Sequence, residues 1–145
     1  MLFRSPIEGA RIPVDIKPEY LILDGQQRMT SLYLAISSDQ AVPTTTNKGK
    51  EIQRFYYLDI KRCLDPKDDR LDAVVSVPHT KMVTSDFGRK IELDLNDPES
   101  EYEKCLFPLA ALFDSSRCFA WRRDFSKFHG YDPDMLSLWD QFEGL

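Results

Sequence analysis

Cysteine is scarce in this chain. Its three residues, Cys63, Cys105 and Cys118, are widely spaced and form no C-x-x-C pair. That excludes a disulfide framework and a thiolate zinc site, and leaves packing roles in a reducing compartment. Histidine is scarcer still, and His79 has no second histidine at ligand spacing, so no metal role is expected for it. Long apolar runs are missing: nothing approaches the roughly 20 residues that span a bilayer, and the opening MLFRSPIEG lacks the apolar centre of a secretory signal. The expectation is a cytoplasmic protein with no membrane partner. An excess of positive charge is also lacking, because 19 Lys and Arg face 24 Asp and Glu, for a net charge of -5. Such a chain has no global attraction for polyanions, and DNA contact is expected only through a local basic patch or adjacent domains.

Several familiar motifs are incomplete. Gly49-Lys50 could end a Walker phosphate loop, but Glu51 stands where Ser or Thr is needed and no glycine lies five residues before Gly49. SDFG at Ser85 to Gly88 echoes a kinase motif without the lysine strand or catalytic loop that gives it meaning. Glu99, Glu101 and Glu103 follow Asp97-Pro98, a helix start with an N-cap and a proline in the first turn, so they are read as acids at a positive helix end. With no Pro-Asp then Glu-x-Lys arrangement, no nuclease centre is expected.

What the chain does have is Tyr20 to Ile36, YLILDGQQRMTSLYLAI. The apolar run Tyr20 to Leu23 is cut off by Asp24-Gly25, and Met29, Leu32, Tyr33 and Ile36 then recur at helical spacing. The segment is a strand, a tight turn and a helix. Two readings of the turn stand side by side. In the first, Asp24 caps the helix and Gln27 answers three residues on, a capping-box variant that leaves Gln26 and Arg28 without a reason. In the second, the free N–H groups of the helix N-terminus attract an anion and the guanidinium of Arg28 adds a fork suited to phosphate. Asp24 then acts through a divalent cation, or orients Arg28.

LILDGQQRMTSLY resembles the N-terminal domain of GmrSD-type restriction endonucleases, a group within the ParB and sulfiredoxin-like superfamily whose hallmark is a DGQQR turn between strand and helix. RFYYLDI, Arg54 to Ile60, and LFPLAALFD, Leu106 to Asp114, resemble later elements of the same family. The resemblance implies a ParB-like core and a nucleoside triphosphate bound with Mg²⁺. Gly25, Gln26, Gln27 and Arg28 would hold the phosphates, Asp24 the metal, and Asp24, Gln27 and Arg28 any hydrolysis. It further implies a regulatory role in modification-dependent DNA restriction in phage defence, with DNA reached through adjacent domains and an HNH nuclease domain or subunit as partner. The alternative is a non-catalytic module for a nucleotide or a DNA backbone, or an inactive fragment of such a protein. Only nineteen residues precede Tyr20 and the family's later motifs do not appear before Leu145, so a domain truncated at both ends is expected.

The remaining sequence supplies the frame. Residues 1–19, with Pro6, Pro13 and Pro18, read as a lead-in whose Arg4 and Arg11 are surface residues. Ser37 to Lys50 reads as a loop, Ile52 to Ile60 as a buried central strand, Lys61 to Asp72 as a charged connection, and Ala73 to Val77 and Lys90 to Leu95 as strands. Residues 115–145 read as a helical extension. In it Trp121, Phe125 and Phe128 form one apolar stripe beside exposed Arg122, Arg123 and Lys127, and Asp132-Pro133 opens a last helix carrying Met135, Leu138, Trp139 and Phe142. That last stripe is expected to lack a cover, which would make the chain marginally stable or self-associating. The fold class expected for this single partial domain, 1–145, is α+β: a small mixed sheet, a helix after the DGQQR turn, and C-terminal helices.

Overall fold

The central strand is built from a segment with apolar side chains on both faces. The computed structural model describes residues 26–46, 48–69 and 71–145, with side chains described from residue 29 onward. The lead-in, the strand expected near Tyr20 and the Asp24-Gly25 turn lie outside these residues. The fold is α+β, as expected. The helices are α1 (Gln26–Ser37), α2 (Ile60–Leu64), α3 (Pro98–Glu103), α4 (Ser115–Phe128) and α5 (Pro133–Glu143), and the strands are β1 (Val42–Thr45), β2 (Glu51–Asp59), β3 (Val74–Pro78), β4 (Met82–Ser85), β5 (Lys90–Asp94) and β6 (Leu106–Pro108).

Strand β2 organises the main sheet. It pairs antiparallel with β3 from Arg54↔Pro78 to Leu58↔Val74. Its other edge is shared end to end, by β1 from Val42↔Arg54 to Thr45↔Glu51 and by β6 from Tyr57↔Pro108 to Asp59↔Leu106. Every strand pair among the described residues is antiparallel. The strand at Lys90 does not join this sheet. It pairs with β4 in a separate hairpin with a bulge between Val83 and Thr84, and SDFG forms the tip, where Asp86, Phe87 and Gly88 all take positive φ.

Short elements went unseen in the sequence for a physical reason. Residues 37–50, expected as a loop, contain β1, which has four residues and too little pattern of its own. Pairing along β2 makes it a strand, and among the described residues β1 has no second neighbour, so the N–H that Pro43 lacks costs no ladder bond there. The charged connection from Lys61 begins with the one-turn helix α2, capped by Asp59, whose carboxylate accepts from Arg62 N–H at 3.1 Å.

Alternation along β2 divides the interior. Leu58 faces a cluster of Ile60, Cys105, Phe107, Trp121, Phe125 and Trp139, whereas Phe55 and Tyr57 face Val77, Leu95 and Leu106. The expectation that the last helix lacks a cover is overturned. Trp139 is 1% exposed, with ring centroids 5.5 Å from Phe107 and 5.4 Å from Trp121, and Met135, Leu138 and Phe142 pack on the same cluster. Its cover comes from α2, β6 and α4, which local pattern could not place against it. Helix α4 is amphipathic as expected, and Arg122 is held by Asp140 at 2.9 Å and Glu143 at 3.0 Å, tying α4 to α5. All three cysteines are free, and Cys105 is buried.

Aspartate caps set the starts of α2, α3, α4 and α5. Asp132 accepts from Asp134 N–H at 2.9 Å and Met135 N–H at 3.1 Å. Asp132→Ala is expected to lower stability by about 1 kcal/mol and Asp132→Asn to be nearly neutral, since Asn caps equally well. Urea denaturation midpoints check this, and equal losses in the two variants would contradict it.

Candidate functional site

Helix α1 begins at Gln26, directly after Asp24-Gly25, and runs for 12 residues. Gln26, Gln27 and Arg28 are helical, as expected of the residues after the turn. Asp24 and Gly25 lie outside the described residues, as do the side chains of Gln26, Gln27 and Arg28. Among the described residues no group of three or more His, Cys, Asp or Glu could hold a metal ion, and Asp24, the expected ligand, is not one of them.

The other end of α1 leads to a second place of interest. Ala35 and Ser38 form one wall of a cavity of about 350 Å³. At a rise of 1.5 Å per residue, Ala35 lies roughly 14 Å along the helix from Gln26. The cavity opens where the edge of β2 changes partner. On that edge β1 pairs Glu51 to Arg54 and β6 pairs Tyr57 to Asp59, and among the described residues no strand pairs Phe55 or Tyr56 there. Helix α4 closes the opposite side with Arg117, Ala120, Trp121 and Asp124.

At its base is a buried carboxylate. Glu101 is 8% exposed and accepts from the Tyr57 hydroxyl at 3.1 Å, through Oε1, and from Trp121 Nε1 at 3.3 Å, through Oε2. Lys81 Nζ lies 3.5 Å from Oε1 and 5.3 Å from the centre of the Phe55 ring. Glu101 therefore joins the two apolar clusters, since Tyr57 belongs to one and Trp121 to the other. Burial pushes its carboxyl above the ordinary value, and the Lys81 charge and the three hydrogen bonds pull the other way. Burial, then the adjacent Glu101 charge, pushes the Tyr57 phenol far up. Backbone geometry aims the lysine: Lys81 has φ +53, a left-handed conformation that its N–H to Pro78 C=O at 2.8 Å and its C=O from Leu95 N–H at 2.9 Å hold in place. At the rim, Arg117 spans from Asp114 at 3.3 Å to Asp39 at 3.5 Å and fastens α4 to the segment after α1.

No family model and no solved structure matches the chain. Its sequence is 32% identical over 117 residues to an uncharacterized protein of Methanocaldococcus jannaschii, covering 77% of this chain and 18% of that protein. The chain spans less than a fifth of that relative's length.

The sequence reading missed both Lys81 and Glu101. It took Glu101 as an acid favoured at a positive helix end, and the α3 cap is as expected, with Asp97 accepting from Glu99 N–H at 3.0 Å. No local pattern marked Glu101 for burial, since α3 ends at Glu103 and its partners come from β2 and α4. Among the described residues no helix is long and apolar enough to cross a membrane.

Proposed function

We propose that the DGQQR turn holds the phosphates of a nucleoside triphosphate, and that the chain is the nucleotide-binding regulatory domain of a GmrSD-like, modification-dependent restriction system. The observation that carries this reading is that Gln26, Gln27 and Arg28 are helical, the first described residues of α1. They follow Asp24 and Gly25 in sequence, and the N–H groups at a helix N-terminus suit a phosphate. In this reading Arg28 grips phosphate oxygens and the two carboxamides complete the cradle. Asp24 holds Mg²⁺, which supplies charge neutralisation at the phosphates. Gly25 lets the backbone approach closely, as only a residue without a β-carbon can. DNA and an HNH nuclease domain or subunit act from outside this chain, in keeping with a relative much longer than the matched segment.

Calorimetric titration tests the assignment. Arg28→Ala is expected to weaken triphosphate binding by about 1.5 to 3 kcal/mol with or without Mg²⁺, the range for a lost charge-assisted hydrogen bond. Asp24→Asn is expected to abolish the Mg²⁺ dependence instead. Phosphate release measured in parallel separates hydrolysis from binding alone. Identical affinity for wild type and Arg28→Ala would make DGQQR a capping turn with no ligand.

A further inference from the structure

The cavity at the far end of α1 has the composition of a ligand site that the phosphate reading does not use. Its volume, about 350 Å³, is in the range of small-molecule sites, roughly 300 to 1,000 Å³. Phe55, Tyr56, Tyr102 and Trp121 are among the residues that line it. Its polar groups come as donor and acceptor side by side. Lys81 and Glu101 are one such pair, 3.5 Å apart. The ammonium has three donors, and the carboxylate has about four acceptor positions, of which Tyr57, Trp121 and Lys81 occupy three.

The second pair belongs to the backbone. Along β2, Gln53 C=O accepts from His79 N–H and Asp59 N–H donates to Ala73 C=O, both on the β3 side. Ile60 N–H donates to Cys105 C=O on the opposite side. Peptide groups alternate edges along a strand, so the N–H and C=O of Tyr56 point to the edge where, among the described residues, β1 has ended and β6 has not begun.

From these features we propose that the cavity binds a flat heterocycle whose ring carries adjacent N–H and C=O groups, a cyclic amide. The ring lies against the aromatic walls, its N–H donates to an open acceptor, and its C=O accepts from an open donor. An amine alone or a carboxylate alone would satisfy only one half of each pair. A ring with neither group would leave the buried polar atoms facing an apolar surface. This inference is independent of the triphosphate reading, whose ligand binds at the opposite end of α1, so either can fail without the other.

Isoquinolin-1-one is the probe, with its N-methyl derivative and isoquinoline as controls, each titrated calorimetrically into the chain. The expected result is saturable binding of isoquinolin-1-one with at least tenfold weaker binding of both controls. Ala120→Leu, which fills the cavity from α4 with a good helix former, should abolish binding while near-ultraviolet circular dichroism of the aromatic cluster stays unchanged. Lys81→Met should weaken binding tenfold or more. No binding of the probe, equal affinity for its N-methyl derivative, or undiminished binding to a folded Ala120→Leu protein would each overturn the proposal.

Discussion

Trp139→Ala is expected to destabilise the chain by about 3 to 5 kcal/mol, the range for truncating a large aromatic in a close-packed core. The indole is 1% exposed and meets Phe107, Trp121, Phe125 and Phe142 at centroid distances of 5.5, 5.4, 6.3 and 5.6 Å. These rings arrive from β6, α4 and α5, so the cavity left by alanine cannot be closed by one side chain changing rotamer. Against a total stability of roughly 5 to 15 kcal/mol for a domain, such a loss removes a large share of the folded population at ambient temperature. Urea denaturation followed by far-ultraviolet circular dichroism gives the value. A loss below about 1 kcal/mol would mean that α5 is dispensable to the core. Trp139→Phe, which keeps an aromatic ring, should recover part of the loss.

The same helix shows where sequence reading worked and where it stopped. Its beginning was legible because a cap is a local event: Asp132 and Pro133 carry the whole signal, and the structure starts α5 at Pro133. The stripe of Met135, Leu138, Trp139 and Phe142 was legible as well, because helical periodicity needs only a dozen residues. Which surface would meet that stripe was not legible. The answer lies in Ile60 and Phe107, brought beneath α5 by the pairing of β6 with β2, and register between strands tens of residues apart leaves no local trace. Strand β2 was readable from its doubled apolar faces, whereas β1 and β6, of four and three residues, exist because β2 offers them an edge. At the site the division is the same. DGQQR stood out because its side chains are contiguous. The Glu101 cluster draws one residue each from β2, the β3–β4 connection, α3 and α4, and its hydrogen bonds join residues 20 and 44 positions apart.

Removal of the Glu101 carboxylate is expected to cost about as much as loss of a core aromatic. Glu101→Ala takes the acceptor from the Tyr57 hydroxyl and Trp121 Nε1, both buried, and the counter-charge from Lys81. Leaving the two buried donors unsatisfied costs roughly 1 to 3 kcal/mol each, while the Lys81 side chain, 32% exposed, keeps contact with water. Glu101→Gln keeps an acceptor and the volume, and its effect should be smaller and different in kind. Because burial raises the folded-state value of this carboxyl above the ordinary 4.5, the folded state binds the proton more tightly than the unfolded state does. By linkage, that contribution to stability is fully present below 4.5 and is lost as pH rises through the folded value. Wild type should therefore lose stability relative to Glu101→Gln as pH rises above 4.5. Tyr57 adds a second limb of the same sign above pH 10, where the unfolded phenol ionises and the buried one keeps its proton. Urea midpoints measured across this range for wild type, Glu101→Gln and Tyr57→Phe separate the two limbs. Parallel curves for wild type and Glu101→Gln would show that the carboxylate is fully solvated, and the cavity would then lack the buried donor and acceptor pair on which its ligand chemistry depends.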